Sequence, residues 1–232
     1  MNVAILLHGL VHRSLEYTKD SLINCLIQPL SADIFYHSWE MDKINNPRTG
    51  ESLEIDSSII NNLLPQSKGI IEDQKEFDKT LHFEIKTNDQ ITLANYMRDL
   101  ESQSRAFSYF ESNKKKKYDL LIVARPDVKY FNVIKLPSKI NDSIFVPNFH
   151  HWWGINDRFA MGPEDLINKY CNRKNLIFNW IKNGEKKNSE MFLDKFLNIN
   201  DIDVQFIDFV FQRIRANGEI AEFDKKFYEK RS

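Results

Sequence analysis

A chain of 232 residues is long enough for one sizeable α/β domain and tight for two. Its 32 lysines and arginines stand against 33 acids, so it lacks the basic excess of a nucleic-acid binder, and no nucleic-acid partner is expected. Two cysteines, Cys25 and Cys171, make neither a disulfide framework nor a zinc spacing, which favours a reducing, cytoplasmic setting, and no run approaches the ~18 apolar residues of a membrane span.

Val3 to Leu7 is a short, continuous, branched run that reads as a buried strand ended by His8-Gly9. The stretch before it is too short and too uncharged for a signal peptide. Leu22, Ile23, Leu26, Ile27 and Leu30 recur at helical spacing, with Ser14 or Thr18 placed to cap the helix. Ala32 to Trp39 reads as a second strand, and this strand–helix–strand unit predicts parallel neighbours. Glu40 to Lys68 is polar, with turn signals at Asn45-Asn46-Pro47 and Thr49-Gly50, and reads as a surface excursion holding one short helix. Gly69 to Glu72 is a short strand. From Asn88 onward, Ile91, Ala94, Met97, Leu100, Phe107 and Phe110 trace one face of a long helix that starts near Asn88 or Asp89.

Lys114 to Lys117 reads as a solvated turn leading to a buried strand at Leu120 to Ala124. Further strands are expected at Ile144 to Val146 and Asp157 to Met161. Gly162-Pro163-Glu164-Asp165 starts a helix, with Pro at its first position and acids in its first turn. Ser189 begins another helix and Val204 to Phe211 forms a strand. Residues 1–218 then make one domain, followed by a charged, peripheral tail over 219–232.

The most informative segment is Tyr118-Asp-Leu-Leu-Ile-Val-Ala-Arg-Pro-Asp127, where an apolar run abruptly presents an Arg and an Asp. Pro126 has no N–H to donate, so ladder pairing should end there and leave Arg125 and Asp127 at the carboxyl edge of a strand, where open α/β sheets bind ligands. A guanidinium beside a carboxylate suits a phosphate-bearing substrate, with Asp127 available for a sugar hydroxyl or a metal; an ion pair that merely ends a strand is the alternative. The loop His8-Gly-Leu-Val-His-Arg13 carries no Gly-x-Gly-x-x-Gly and no Gly-Lys-Ser/Thr, which disfavours a dinucleotide site or a P-loop. Gly9 permits close backbone approach and Arg13, near a helix start, can meet a phosphate, although a turn glycine with a solvated Arg reads equally well.

The cluster His150-His-Trp-Trp-Gly-Ile-Asn-Asp-Arg158 offers ring faces and polar groups for a sugar-binding rim; the alternative has its tryptophans plugging the core. Glu190 falls in the first turn of its helix, where it serves either the helix dipole or, as a general base, an incoming hydroxyl.

These segments together resemble a family of small GT-A-type glycosyltransferase-like proteins found in bacterial and viral surface-glycan gene sets. The resemblance rests on His8-Gly9 and Arg13, Phe35-Tyr-His-Ser-Trp39, Tyr118-Asp119 with Arg125-Pro-Asp127, Gly154-Ile-Asn-Asp-Arg-Phe-Ala-Met-Gly162, and Ser189-Glu-Met-Phe-Leu193. It implies a single-domain, Rossmann-like α/β fold with a mostly parallel sheet flanked by helices. It also implies transfer of a sugar, of the hexosyltransferase kind, from a nucleotide-diphosphate-sugar to a glycan acceptor in surface polysaccharide or lipopolysaccharide synthesis. The donor would meet His8, Gly9, Arg13, Arg125, Asp127, Asn156, Asp157 and Arg158, and the substrate His150, Trp152 and Trp153. Catalysis would fall to Glu190 and Asp127. GT-A enzymes carry Asp-x-Asp, and here Arg125 replaces the first Asp, so Asp127 alone remains for Mn or Mg while Arg125 can neutralise the diphosphate directly. Competing readings are a non-catalytic nucleotide-sugar-binding module and a metal-dependent phosphohydrolase using Asp127, Asp157 and Glu190. Such a protein works without a transmembrane segment, free in the cytoplasm or peripheral at the inner membrane surface.

Overall fold

The computed structural model describes residues 1–46, 49–140 and 142–229, with side chains described as far as residue 225. Pro47 of the Asn-Asn-Pro turn signal and residues 230–232 of the charged tail lie outside the described residues.

Seven strands form the central sheet: β1 (Val3–Leu7), β2 (Asp33–Glu40), β5 (Lys68–Asp73), β6 (Leu120–Ala124), β8 (Ser143–Pro147), β9 (Phe159–Gly162) and β10 (Asp203–Ile207). Their order is β10-β8-β9-β6-β1-β2-β5, and among them β9 runs antiparallel to β6 and β8. Among the described residues two small antiparallel pairs lie outside this sheet: β3 (Lys43–Asn46) with β4 (Glu51–Glu54), and β7 (Val128–Tyr130) with β11 (Phe211–Arg213). The mixed α/β fold with a mostly parallel sheet flanked by helices is as expected from the sequence.

The pleat sorts side chains to two cores. Val3, Ile5 and Leu7 of β1, with Leu120, Ile122 and Ala124 of β6, face a layer containing the first helix, α1 (Leu15–Leu22). Ala4, Leu6, Leu121 and Val123 face the opposite layer, built from α5 (Asn88–Asn113), α6 (Glu164–Cys171) and α8 (Ser189–Ile199). Because both faces are covered, every residue of β1 and β6 is buried, which is why these strands appear in the sequence as unbroken apolar runs. Parallel pairing of β1, β2 and β6 brings the loops after them to one sheet edge. Antiparallel β9 enters from that same edge, with Phe159 opposite Ala124, so Arg158 starts where Arg125 ends.

Several expectations are corrected. The first helix does not run uniformly: α1 passes through a π turn over Ile23–Ile27 into α2 (Gln28–Leu30). Ser14 stands at its N-cap position but makes no cap; its hydroxyl donates to Ile214 O at 2.8 Å, tying the helix start to the chain after β11. The long helix α5 is capped one residue earlier than read, by a reciprocal Thr87–Gln90 box. Pro163 precedes α6 at its N-cap rather than opening it, while α8 begins at Ser189 as read and is capped by Asn188, which accepts from Met191 N at 2.8 Å. The polar excursion contains the β3–β4 hairpin as well as α3 (Ile59–Leu63), and α4 (Gln74–Asp78) follows β5. An unforeseen helix, α7 (Lys174–Lys182), lies between α6 and α8. Beyond Asn217 the chain turns inward: Ala221 is buried, and α9 (Glu222–Glu229) begins with a buried Asp224. Among the described residues no helix is long and apolar enough to cross a membrane.

Candidate active site

The edge where β1, β2 and β6 end is lined on one side by α5, whose apolar face is interrupted by Asp99, Ser102 and Gln103. Ser102 Oγ accepts from the backbone N of Gly9 at 2.7 Å and lies 2.7 Å from His37 Nδ1. His8 Nδ1 sits 3.0 Å from Asp99 Oδ1. Gly9 has φ +91°, a left-handed conformation open to glycine, and this turn lets the loop double back so that Gly9 O accepts from Trp39 N at 2.9 Å. His8 and His12, four apart, do not converge on a metal, since His12 Nδ1 turns to Ser38 Oγ at 3.2 Å.

Arg125 and Asp127 meet as the sequence implies, and more tightly. Arg125 Nε donates to Asp127 Oδ1 and Nη2 to Oδ2, both at 2.8 Å. Arg13 Nη1 lies 3.7 Å from Asp127 Oδ2, and the backbone O of Asp127 accepts from Ile214 N at 2.8 Å. Burial works to raise the Asp127 carboxyl, but Arg125, then Arg13 and Arg213, hold it well below the usual carboxylate range. Arg13 also grips both oxygens of Glu51, a buried residue from the surface excursion, and Glu51 further accepts from Ala216 N at 3.1 Å and meets Arg215 at 3.4 Å. Arg213 donates to Asp224 Oδ1 through Nη2 at 2.7 Å.

This arrangement does not suit a divalent cation at Asp127. Hard cations take carboxylate oxygens at close range, and both oxygens here already accept from a guanidinium, with a second guanidinium beside them. Among the described residues no three His, Cys, Asp or Glu side chains are grouped to hold a metal ion.

The second half of the site is built by the loop before β9 and the start of α8. Gly154 is where the two touch: a Cβ there would fall 2.1 Å from Glu190 O, and Ile155 N donates to the same oxygen at 3.1 Å. The loop backbone thereby fixes Glu190. The Glu190 side chain is buried, 3.0 Å from Ser189 Oγ and 3.6 Å from Arg158 Nη2. Burial, and then the nearby Asp157 carboxylate, push its carboxyl up to about 7, against the pull of Arg158. Arg158 Nη1 donates to His150 Nδ1 at 2.9 Å. Asn156 is buried and turned to the loop itself: its amide donates to Phe149 O at 2.7 Å and its carbonyl accepts from Arg158 N at 2.9 Å. His150, Trp152 and Trp153 all have positive φ, and Trp153 is 84% exposed, so the tryptophans face solvent as a rim and do not plug the core. Trp152 lies near the rings of His150 and of Phe223 on α9.

Between these halves lies Asp157, within electrostatic reach of Arg125, Arg158, Glu190 and Arg173. Arg173 is fully buried, donates to Gln103 Oε1 at 2.6 Å, and stacks 3.9 Å from the Tyr170 ring centre. Among the described residues its Nε and Nη2, and the Tyr96 hydroxyl, are buried without a protein hydrogen-bond partner.

The structure thus brings His8, Gly9, Arg13, Arg125 and Asp127 to one edge, with Asp157, Arg158 and Glu190 across it and the tryptophans at its rim. Sequence reasoning missed Glu51, Asp99, Arg173, Arg213 and Arg215. Asp99 carried a signal, a charge inside the apolar face of α5; the others carried none, since Arg13 and Glu51 lie 38 positions apart and Glu51 and Ala216 lie 165 apart.

No protein-family model matches this sequence, and no curated protein sequence matches it. Its fold is similar to that of core-mannan synthase A from Aspergillus fumigatus in the Mn/GDP form, with a TM-score of 0.56 over 92% of this chain and 75% of that one at 10% sequence identity. The chain therefore has a GT-A-like, Rossmann-like α/β fold.

Proposed function

We propose that this chain is a glycosyltransferase that moves a sugar, of the hexosyltransferase kind, from a nucleotide-diphosphate-sugar to a glycan acceptor, in surface polysaccharide or lipopolysaccharide synthesis. The observation that carries the proposal is Glu190. It is a buried carboxyl held near pKa 7, fixed by the Gly154 contact, and it shares one sheet edge with a partly open arginine at the end of β6. The GT-A-like fold, also that of a mannan synthase whose crystal form holds Mn and GDP, supports a nucleotide-sugar donor.

In the reaction Glu190 takes the proton from the acceptor hydroxyl as that oxygen forms a bond to the anomeric carbon. The bond from that carbon to the diphosphate oxygen breaks, its electron pair leaves with the diphosphate, and the anomeric centre inverts. Arg125, oriented by Asp127, and Arg13 stabilise the departing charge. Asp157 holds the sugar, while Trp152 and Trp153 stack on the acceptor. Arg158 and His150 support Glu190, and Asn156 supports their loop. Such a protein would act in the cytoplasm or at the inner membrane surface.

A phosphohydrolase using Asp127, Asp157 and Glu190 as metal ligands is disfavoured by the Arg125 grip on Asp127. The test is a thermal-shift panel of nucleoside diphosphates and nucleotide sugars. A ligand at about a hundred times its dissociation constant stabilises the fold by about 2.7 kcal/mol, and a panel without any upward shift would refute the donor site.

A further inference from the structure

Four guanidinium groups surround Asp127: Arg125 and Arg13 by direct contact, Arg213 and Arg215 by electrostatic reach. Their side chains are 15–26% exposed, so none is sealed from solvent. Arg213 and Arg215 come from β11 and the segment after it, which the Ile214 N to Asp127 O bond pins beside the end of β6. A guanidinium carries five N–H donors in a plane and binds phosphate oxygens in pairs, whereas a divalent ion in the same place would meet two cations before it reached an oxygen of Asp127.

Resting on the transferase assignment, we infer that this site takes its donor diphosphate without a divalent cation, the phosphate charge being met by Arg125, Arg13, Arg213 and Arg215. Asp127 and Glu51 then serve to hold the guanidinium groups in place before the donor arrives, Asp127 for Arg125 and Glu51 for Arg13 and Arg215. When the anomeric carbon–oxygen bond breaks, its electron pair stays on the terminal phosphate oxygen of the leaving diphosphate. The arginines receive that charge as hydrogen bonds, so no proton and no metal is needed on the leaving side.

The experiment is calorimetric titration of the whole protein with ADP, CDP, GDP, UDP and dTDP, first in EDTA and then with Mn. The best-bound diphosphate is expected to bind in EDTA and to change its dissociation constant by less than about threefold with Mn. Arg215→Gln, which leaves Glu51 paired to Arg13, is expected to weaken binding in EDTA by roughly tenfold while melting as the wild type does. Rising salt should weaken wild-type binding. Mn-dependent tightening of about tenfold or more, or unchanged binding by Arg215→Gln, overturns the inference and leaves the transferase assignment standing. Binding of no diphosphate in either buffer refutes the transferase assignment itself, and the inference with it.

Discussion

A carboxylate is a stronger base at neutral pH when its environment lifts its pKa, and at Glu190 that lift comes from burial and from Asp157. Two outcomes follow. Transfer should rise with pH through about 7 as Glu190 ionises, and Glu190→Gln should lose roughly 10²–10⁴-fold in rate at saturating donor. The stability sign is opposite to that of a salt-bridged acid. With its folded pKa above the ordinary 4.5, Glu190 contributes stability that is complete below 4.5 and is lost as pH rises through about 7. Glu190→Gln should therefore melt no lower than the wild type at pH 8, which separates lost chemistry from lost fold. Gly154→Ala forms a second test: a methyl 2.1 Å from Glu190 O forces the loop and α8 apart, so transfer should fall while diphosphate binding by Arg125 persists. Equal loss of both would show that Gly154 matters only to the fold. Arg125 and Asp127 were legible because polar groups break an apolar pattern there, and Glu190 because it falls in a helix's first turn within a segment that carries the resemblance. Glu51 and Arg173 were not, since their environment is made by chain segments far away in sequence.

Among the elements, the buried strands were the most legible, because covering a sheet on both faces demands continuous apolar runs. Helix starts were read within a residue or so, the true caps being Thr87 and Asn188. The C-terminal segment reads from its charges as a solvated tail, and among its described side chains Asp224 turns inward without any local mark. Asp224 is 1% exposed and accepts from Arg213 N at 2.7 Å and from its guanidinium. Asp224→Ala should cost about 2 kcal/mol, as for a charged hydrogen bond lost at a partly buried site. In a chain of 232 residues that lowers the melting temperature by about 4–8 °C, and scanning calorimetry would measure it. A melting temperature within a degree of wild type would return α9 to the role of a peripheral tail. The same substitution frees Arg213 and should also loosen its hold in the diphosphate cradle.

At the scale of the molecule, the near-zero net charge conceals two local basic groups, each paired with acids. Arginines gather at one sheet edge around Asp127, while the lysines of 114–117 lie at the opposite edge, where Lys114 pairs with Glu111 and Glu164, and Lys116 with Asp33. Composition argues against a nucleic-acid surface but is silent on the site, whose field depends on the fold. The parallel strands bring Arg125 and His8 to one edge, and the antiparallel β9 adds Arg158 to it, an arrangement that strand order decides and local pattern does not. The decisive measurement is release of nucleoside diphosphate from a nucleotide sugar, followed with and without a panel of glycan acceptors, for wild type and Glu190→Gln. Sugar transfer predicts release that depends on acceptor, with the anomeric centre inverted in the product, and its near-abolition in Glu190→Gln. Release that ignores the acceptor, or that proceeds equally in Glu190→Gln, would contradict it.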